Sequence, residues 1–296
     1  WKDPEVCETL RLCLSCKGCK SECPSNVDIA KLKSEYLAQR YRSEGLPLQA
    51  RAFGAIRTLN RIGSAFHAIA NATARLGPVR AIMESLLGID RRRSLPPFGR
   101  SALAWHRRRA NADAARPTVL LFADCFSTYN EPHLAEAAVE VFEAFGYRVA
   151  MPDVGCCGRA AISMGDLAGA TTLCGRTATA LLAAVERERA IAVIGLEPSC
   201  LSAIKDDWQE LRMGVERSKL AALKAMSFLA EEFLEARWNE HPLRPTFEPS
   251  ESKLLLHGHC HQKALWGVES SAALLRRIYG ARLDVLKTGC CGMAGS

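Results

Sequence analysis

The sequence predicts an α-helical ferredoxin-type N-terminal domain, followed by an α/β domain built from two repeated β-α-β modules. Two observations predict it. Residues 13–24 read Cys13-Leu-Ser-Cys16-Lys-Gly-Cys19-Lys-Ser-Glu-Cys23-Pro24, the C-x2-C-x2-C-x3-C-P run that holds a [4Fe–4S] cluster. Further on, residues 118–158 and 253–292 repeat one pattern: apolar strand, cysteine, helix, second strand and Gly-Cys-Cys-Gly. Strand–helix–strand order argues for parallel sheets with helices on their faces.

Composition sets the class. The 296 residues are 48% hydrophobic and 24% charged, the balance of an ordinary globular chain able to bury a core. No apolar run approaches the roughly 18 residues of a membrane span, and no secretory signal opens the chain. Thirteen cysteines would suit a small secreted disulfide scaffold, but here they cluster tightly between long helical and strand patterns. Cofactor ligation in a reducing compartment is expected, and with it a cytoplasmic location.

The first domain is expected over residues 1–89. Three thiols at x2 spacing converge on one small core only if the backbone wraps around it, and Gly18 eases that wrap. Pro24 then turns the chain away. A zinc site usually pairs two C-x2-C halves across a longer loop, and a disulfide needs no such regular spacing. In two-cluster ferredoxins the fourth cysteine of each run serves the other cluster. A partner run is therefore expected upstream of Trp1, with Cys13, Cys16 and Cys19 on one cluster and Cys23 on the other. Cys7 fits neither spacing and is expected as a small buried residue. A helix capped by Ser25 or Asn26 should run to about residue 41. A second should span 50–69, burying Phe53, Ile56, Leu59, Ile62, Phe66 and Ile69 on one face, and a short one 79–87. His67 beside that stripe reads as structural.

Residues 90–117 form an expected Arg/Pro-rich linker, with arginines at 91–93 and 107–109 and prolines at 96 and 97. Much of the net charge of +7 lies here. Such a segment suits nucleic acid or anionic lipid, or else a solvated linker lying against an acidic partner domain. No aromatic interleaving accompanies it, so a solvated linker is the expectation and nucleic acid is not expected as a partner.

The remaining domain is expected over 118–296, its modules at 118–212 and 253–296. Strands are expected at 118–123 and 253–256, helices at 131–145 and 269–279, and second strands at 146–149 and 280–283. The first module continues with an Ala-rich helix over 167–188 that places Cys174 in the core. A strand over 191–196 then runs into Glu197-Pro-Ser-Cys200. Cys125, Cys156, Cys157 and Cys200 thus sit at the carboxyl ends of strands, where ligands gather in open α/β folds. Four thiols from three loops can meet there around one cluster or metal. The second module offers Cys260, Cys290 and Cys291, with a fourth ligand expected beyond Ser296. Between the modules a further amphipathic helix is expected over 219–238. Adjacent cysteines can bridge irons in an open, non-cubane cluster or form a vicinal disulfide, and the flanking glycines allow the tight backbone either needs. His257, His259 and His261 alternate along an extended segment, which puts them on one face. From there one can donate a proton or hydrogen-bond a cluster sulfur and tune its potential.

The cysteine run with its continuation Ser-Asn-Val-Asp28, the stretch Gly195-Leu-Glu-Pro-Ser-Cys200, the stretch His257-Gly-His-Cys-His-Gln-Lys-Ala264 and the closing Gly289-Cys-Cys-Gly-Met-Ala-Gly-Ser296 resemble the iron–sulfur proteins with cysteine-rich CCG domains. That group includes glycolate oxidase iron–sulfur subunits, the C subunits of anaerobic glycerol-3-phosphate dehydrogenases and the B subunits of heterodisulfide reductases. Within it, the chain looks most like the C-terminal iron–sulfur half of fusion proteins with an FAD-linked oxidase domain, the D-lactate and D-2-hydroxyglutarate dehydrogenases among them. The resemblance implies an upstream FAD domain that oxidises a D-2-hydroxy acid (D-lactate, D-2-hydroxyglutarate or glycolate). This segment would relay the electrons through [4Fe–4S] clusters, with a non-cubane cluster at a CCG module, to a quinone or a carrier protein. Membrane association would be peripheral at most. One departure stands out: the full pattern closes with C-x-x-C, and here Glu197 takes the first position. Glu197 then either ligates iron, or the first module's cluster is altered or absent. Two other functions fit the same thiols. One is a catalytic CCG protein reducing heterodisulfides or quinones, the other a non-enzymatic zinc-binding or thiol redox-sensing module.

Overall fold

The computed structural model describes residues 3–109, 115–248 and 252–289. Seven helices come first, and local signals set their ends. α1 (Pro4–Arg11) starts on Asp3, whose carboxylate accepts the amides of Glu5 and Val6, with Pro4 in the first turn. α2 (Gly18–Glu22) lies inside the cysteine run. α3 (Ile29–Glu44) is capped by Asp28 and stops at Gly45, whose φ of +82° few other residues adopt.

The single helix expected over 50–69 is three: α4 (Leu48–Gly54), α5 (Ile56–Ala65) and α6 (His67–Thr73). The breaks fall at Ala55 and Phe66, which leave helical geometry. The buried face is also different from the expected one. α5 buries Asn60, Gly63 and Ser64, whereas Leu59, Ile62, Phe66 and Ile69 are exposed. The reason is close approach: a Cβ on Gly63 would lie 2.6 Å from the ring of Phe98, so the small side of the helix receives that ring. α7 (Gly77–Leu87) ends at Gly88, again left-handed.

Part of the expected linker is docked. Asn71 accepts the Phe98 amide at 2.8 Å and donates to the Phe98 carbonyl at 2.9 Å. Ser64 donates to the Gly99 carbonyl, and Asn130 to that of Pro97. Residues 94–99 therefore form a strap between the helices and the α/β region, not a solvated connector. α8 (Ala102–Arg108) follows within the same segment and buries Ala102 and Leu103.

The α/β region runs β1 (Thr118–Leu121), α9 (Cys125–Tyr129), α10 (Pro132–Ala144), β2 (Arg148–Ala150), α11 (Arg159–Ser163), α12 (Leu167–Glu188), β3 (Ala192–Gly195), α13 (Pro198–Lys205), α14 (Arg217–Ala225), β4 (Ser227–Leu229) and α15 (Ala230–Ala236). The four strands are parallel in the order β2-β1-β3-β4. Alternate residues face opposite layers. Leu120 and Val193 pack with α12 and α13; Val119, Leu121 and Ile194 pack with α8, α10 and α15. A sheet buried on both faces needs continuous apolar strands, which is what β1 and β3 show. The helix expected over 219–238 is in fact helix–strand–helix. Three residues are too few for a strand period to show, and β4 exists because β3 offers it a parallel edge.

A second, two-stranded parallel sheet pairs β5 (Leu254–Leu256) with β6 (Leu283–Val285), joined by α16 (Cys260–Leu265) and α17 (Glu269–Tyr279). α17 lies against α15, where Arg277 makes a two-pronged bond to Glu235 at 2.7 Å. Both second strands, β2 and β6, begin later than the sequence suggests. Among the described residues no helix is long and apolar enough to cross a membrane.

Candidate metal centre

In the larger sheet β1 leads out to β2 on one side while β3 lies on the other, so the chain diverges at the carboxyl ends of β1 and β3. A crevice forms at such a switch point. Cys125 opens α9 beyond β1, Cys200 lies in the first turn of α13 beyond β3, and Cys156 and Cys157 follow β2. The thiols meet: Cys125 Sγ is 3.8 Å from Cys156 Sγ, and Cys157 Sγ is 2.9 Å from Cys200 Sγ. Three of the four are buried and Cys125 is half-buried.

The backbone of the cysteine pair is shaped from beneath. Gly155 and Gly158 have φ of +116° and +80°. A Cβ at Gly155 would lie 2.5 Å from Thr177 Oγ1, and one at Gly158 2.2 Å from Cys174 Sγ. Thr177 donates to the Cys156 carbonyl, while Cys174 and the Trp208 indole both donate to that of Cys157. Cys174, expected in the core, is indeed fully buried, and burial pushes its thiol up to about 12.

The four thiols do not share one ionisation. Hydrogen bonds from Cys125 and then Cys157 hold the Cys156 thiol far below its usual value. The same bonds, with burial, push Cys125 and Cys157 up. Arg57 supports the anion from nearby, held by the Ala123 carbonyl at 2.6 Å and Asp153 at 2.5 Å. Asp124 caps α9 through the amides of Phe126 and Ser127, and burial raises its carboxyl to about 6. Among the described residues, no group of three or more His, Cys, Asp or Glu closes around a single metal ion. Soft thiolates drawn from three loops suit a broader, polynuclear iron–sulfur core.

The N-terminal cysteine loop presents its sulfurs to backbone amides. Ser15 N donates to Cys13 Sγ at 3.4 Å and Ile29 N to Cys19 Sγ at 3.3 Å. The amides of Val27 and Ser25 lower the Cys23 thiol. Amide donors favour the charged form of sulfur, so the loop fits a thiolate-bound cluster. The wrap is made by Ser15, Lys17 and Asn26, all at positive φ. Gly18 is not among them; it opens α2, and a Cβ there would make only an ordinary 3.6 Å contact with Cys16 Sγ.

A buried ionic network joins loop and sheet. Lys17 is 1% exposed, with its ammonium 2.5 Å from Asp206 and 2.6 Å from Asp207. Lys20 reaches Asp206 at 2.6 Å. Burial works against the Asp206 charge, but Lys17 and Lys20 outweigh it and hold the carboxyl well below the usual range. Arg159, directly after the cysteine pair and its glycine, bonds Asp207 at 3.2 Å and the Ser15 carbonyl at 2.6 Å. His261 Nε2 lies 3.0 Å from that same carbonyl, and its Nδ1 2.7 Å from Ser202 Oγ. Burial, then Arg159, brings the His261 imidazole down to about 3.

The other sequence-predicted residues scatter around this network. His257, His259 and His261 do not share a face. The chain turns into α16 at Cys260, with His259 as its cap, so His261 points into the protein while His257 meets Thr288. The carboxylate of Glu197 caps α13 through the Ser199 amide, with His259 Nε2 3.6 Å away. Cys7 is half-buried, not core, and accepts from Arg40 at 2.8 Å. Cys260 is half-buried with its sulfur 4.0 Å from His259 Nδ1. Cys290 and Cys291 lie outside the described residues. Lys17, Arg159, Asp206 and Asp207 escaped the sequence reading. Their signals were a lysine inside the cysteine run and an Asp-Asp pair shortly after Cys200.

Residues 119–205 match the cysteine-rich domain model of the CCG family. The chain is 29% identical over 241 residues to the C subunit of the anaerobic glycerol-3-phosphate dehydrogenase of Escherichia coli K12, covering 80% of this chain and 59% of that protein. It is 25% identical over 304 residues to the D-2-hydroxyglutarate dehydrogenase of Escherichia coli K12 and 22% identical over 306 residues to that of Pseudomonas putida. These two alignments each cover 99% of this chain and 29% of the relative. The chain thus spans less than two thirds of the length of these relatives. No solved structure matches it. With its thiols gathered at the switch point of a parallel sheet, the chain carries a cysteine-rich CCG domain and is homologous to these dehydrogenase components.

Proposed function

We propose that this chain is the iron–sulfur electron-transfer segment of an FAD-linked dehydrogenase acting on a D-2-hydroxy acid. The observation that carries the reading is the pairing of two sulfur sites across one ionic network. A ferredoxin-type loop with amide-bonded sulfurs is tied through Lys17 and Asp206 to a four-thiol crevice at a sheet switch point. Cys13, Cys16 and Cys19 would hold one [4Fe–4S] cluster, and Cys23 would serve the neighbouring cluster of the ferredoxin pair. Cys125, Cys156, Cys157 and Cys200 would hold another, of non-cubane form. Cys260 with Cys290 and Cys291 would serve a further one in the second module, residues 253–296. Bound clusters accept and release single electrons; the oxidation itself belongs to a flavin partner, and the acceptor is a quinone or carrier protein. In the metal-free chain the Cys125 and Cys157 thiols, and then Arg57, favour the Cys156 thiolate; Cys125 and Cys157 would themselves shed protons on taking a metal. Trp208, Cys174 and Thr177 fix the pair's carbonyls, and the Lys17 network holds the two sites in register. The similarity to dehydrogenase components supports the reading.

Anaerobic purification with iron, sulfide and reduced-state EPR measurements tests it. Matched iron and sulfide are expected, with Cys16→Ser and Cys157→Ser each removing a different part of the signal. Zinc without sulfide would refute the relay. One distance favours a second reading, a thiol redox module: Cys157 and Cys200 lie close enough to exchange a hydrogen bond. Reversible loss of two titratable thiols, abolished by Cys200→Ser in iron-free protein, would support that alternative.

A further inference from the structure

Ser15 lies between the first two cysteines of the run, in the loop that joins α1 to α2. Its φ is +55°, in the left-handed region. A residue with a Cβ resists that conformation, so the surroundings must hold it there. Ser15 is 5% exposed, and both polar groups of its backbone are engaged. Its amide donates to Cys13 Sγ at 3.4 Å. Its carbonyl accepts from Arg159 Nη2 at 2.6 Å and lies 3.0 Å from His261 Nε2.

Both groups on the carbonyl come from far along the chain, 144 and 246 residues on. Arg159 opens α11 directly after Gly158, and its other prong, Nη1, bonds Asp207 at 3.2 Å. A planar guanidinium fixed at one prong aims the other, which a lysine cannot copy. The bond from the charged group is the shorter of the two, and charge-assisted bonds are the stronger kind. Lys17 anchors the loop through its side chain. Arg159 instead acts on the backbone between two of the run's cysteines.

We infer that Arg159 is a positioning residue for the loop site: it holds Ser15 in its left-handed turn, keeps the Ser15 amide on the Cys13 sulfur, and so sets the reduction potential of a cluster held there. The inference rests on the electron-transfer reading. Reduction adds negative charge, which an N–H donor to sulfur stabilises, so the donor raises the potential. The Arg159 charge acts with the same sign and has to be separated from the geometry. Arg159 follows the Cys156–Cys157 pair, so a residue of the sheet-edge motif tunes the loop.

The test is a redox titration of the intact, cluster-loaded protein followed by EPR, the loop signal being the one that Cys16→Ser removes. Arg159→Met should disfavour reduction of the loop cluster by roughly tenfold, about 59 mV for a one-electron centre. Adding Ser15→Gly should recover most of that shift, because glycine takes the left-handed turn unaided. Because Arg159 also bonds Asp207, Arg159→Met can fail to fold. Arg159→Lys then decides: it keeps the charge but not the fork, and the same drop and the same recovery are expected. If neither variant loads, Ser15→Gly should restore iron and sulfide to them. An unchanged loop potential in the variant that loads overturns the inference. So does a drop that Ser15→Gly leaves in place, which assigns the effect to charge, or loading that Ser15→Gly does not restore. Iron and sulfide in the unsubstituted protein report separately on the electron-transfer reading. Zinc without sulfide there overturns both, whereas a loaded cluster indifferent to Arg159 overturns this inference alone.

Discussion

The two sulfur sites present their thiols in opposite ways. In the loop of residues 13–23 the sulfurs are half-exposed and backbone N–H groups point at them. At the sheet edge three of the four thiols are buried and they bond one another. Peptide dipoles shape the first site whether or not anything is bound. The second is shaped by side chains packed underneath, and its sulfurs compete for one proton-poor position until something replaces their mutual contacts. The loop is therefore a preorganised receptor, and the edge a compact thiol nest that a ligand must open.

Substitutions can break this contrast. The largest effect is expected from Lys17→Met, which strips the shared ammonium from Asp206 and Asp207. Leaving buried carboxylates under-compensated should cost about 3 to 5 kcal/mol, read as a lower denaturant midpoint in urea unfolding. If the two sites are truly joined there, both parts of the EPR signal should weaken together; loss of the loop signal alone would show that the edge stands unaided. Gly158→Ala comes next. It forces a Cβ into Cys174 Sγ at a left-handed φ, and overpacking with the backbone penalty should destabilise by about 3 kcal/mol. Adding Cys174→Ala should return the packing part and leave the backbone part.

Acid unfolding gives a smaller effect. The folded Asp206 carboxyl titrates below its unfolded counterpart. Its contribution is thus full above about pH 4, the unfolded range, and fades as pH falls toward the folded value. Asp206→Asn should lower stability at pH 7 and flatten the acid limb below about pH 4; an unchanged limb would show that Lys17 relies on Asp207 alone. The smallest effect is expected from Gly18→Ala in the loop. With helical backbone and only an ordinary contact to meet, it should change stability by less than about 0.5 kcal/mol. A large loss there would mean the loop is packed as tightly as the edge.

What the sequence made legible follows the range of each signal. Strands β1 and β3 showed as apolar runs because both their faces are covered. The four edge cysteines could be placed together because strand ends in a parallel sheet all point one way. Periodicity failed where it is shared by different structures. The threefold steps of residues 50–69 fit α4, α5 and α6 as well as one helix, and they pointed to an apolar face that is exposed. Three residues of β4 carried no period at all. Alternation of the histidines was misleading because a cap at His259 turns the chain within the motif. The Lys17 network was hidden for another reason. Its partners lie 189 and 190 residues away, and nothing in local sequence marks a lysine as buried.

That separation has a consequence for how the chain is made. The loop-to-sheet lock cannot close until Asp206 and Asp207 have been synthesised, and the His261 contact to Ser15 waits for 246 residues. At ribosomal rates of about 5–20 residues per second, the gap from Lys17 to Asp206 lasts roughly 10–40 s. Throughout that interval the N-terminal cysteines are local structure without their anchor, open to whatever delivers iron or oxidises thiols. The order of assembly is written into the topology: of the loop and the sheet edge, the loop emerges first and is locked in place last.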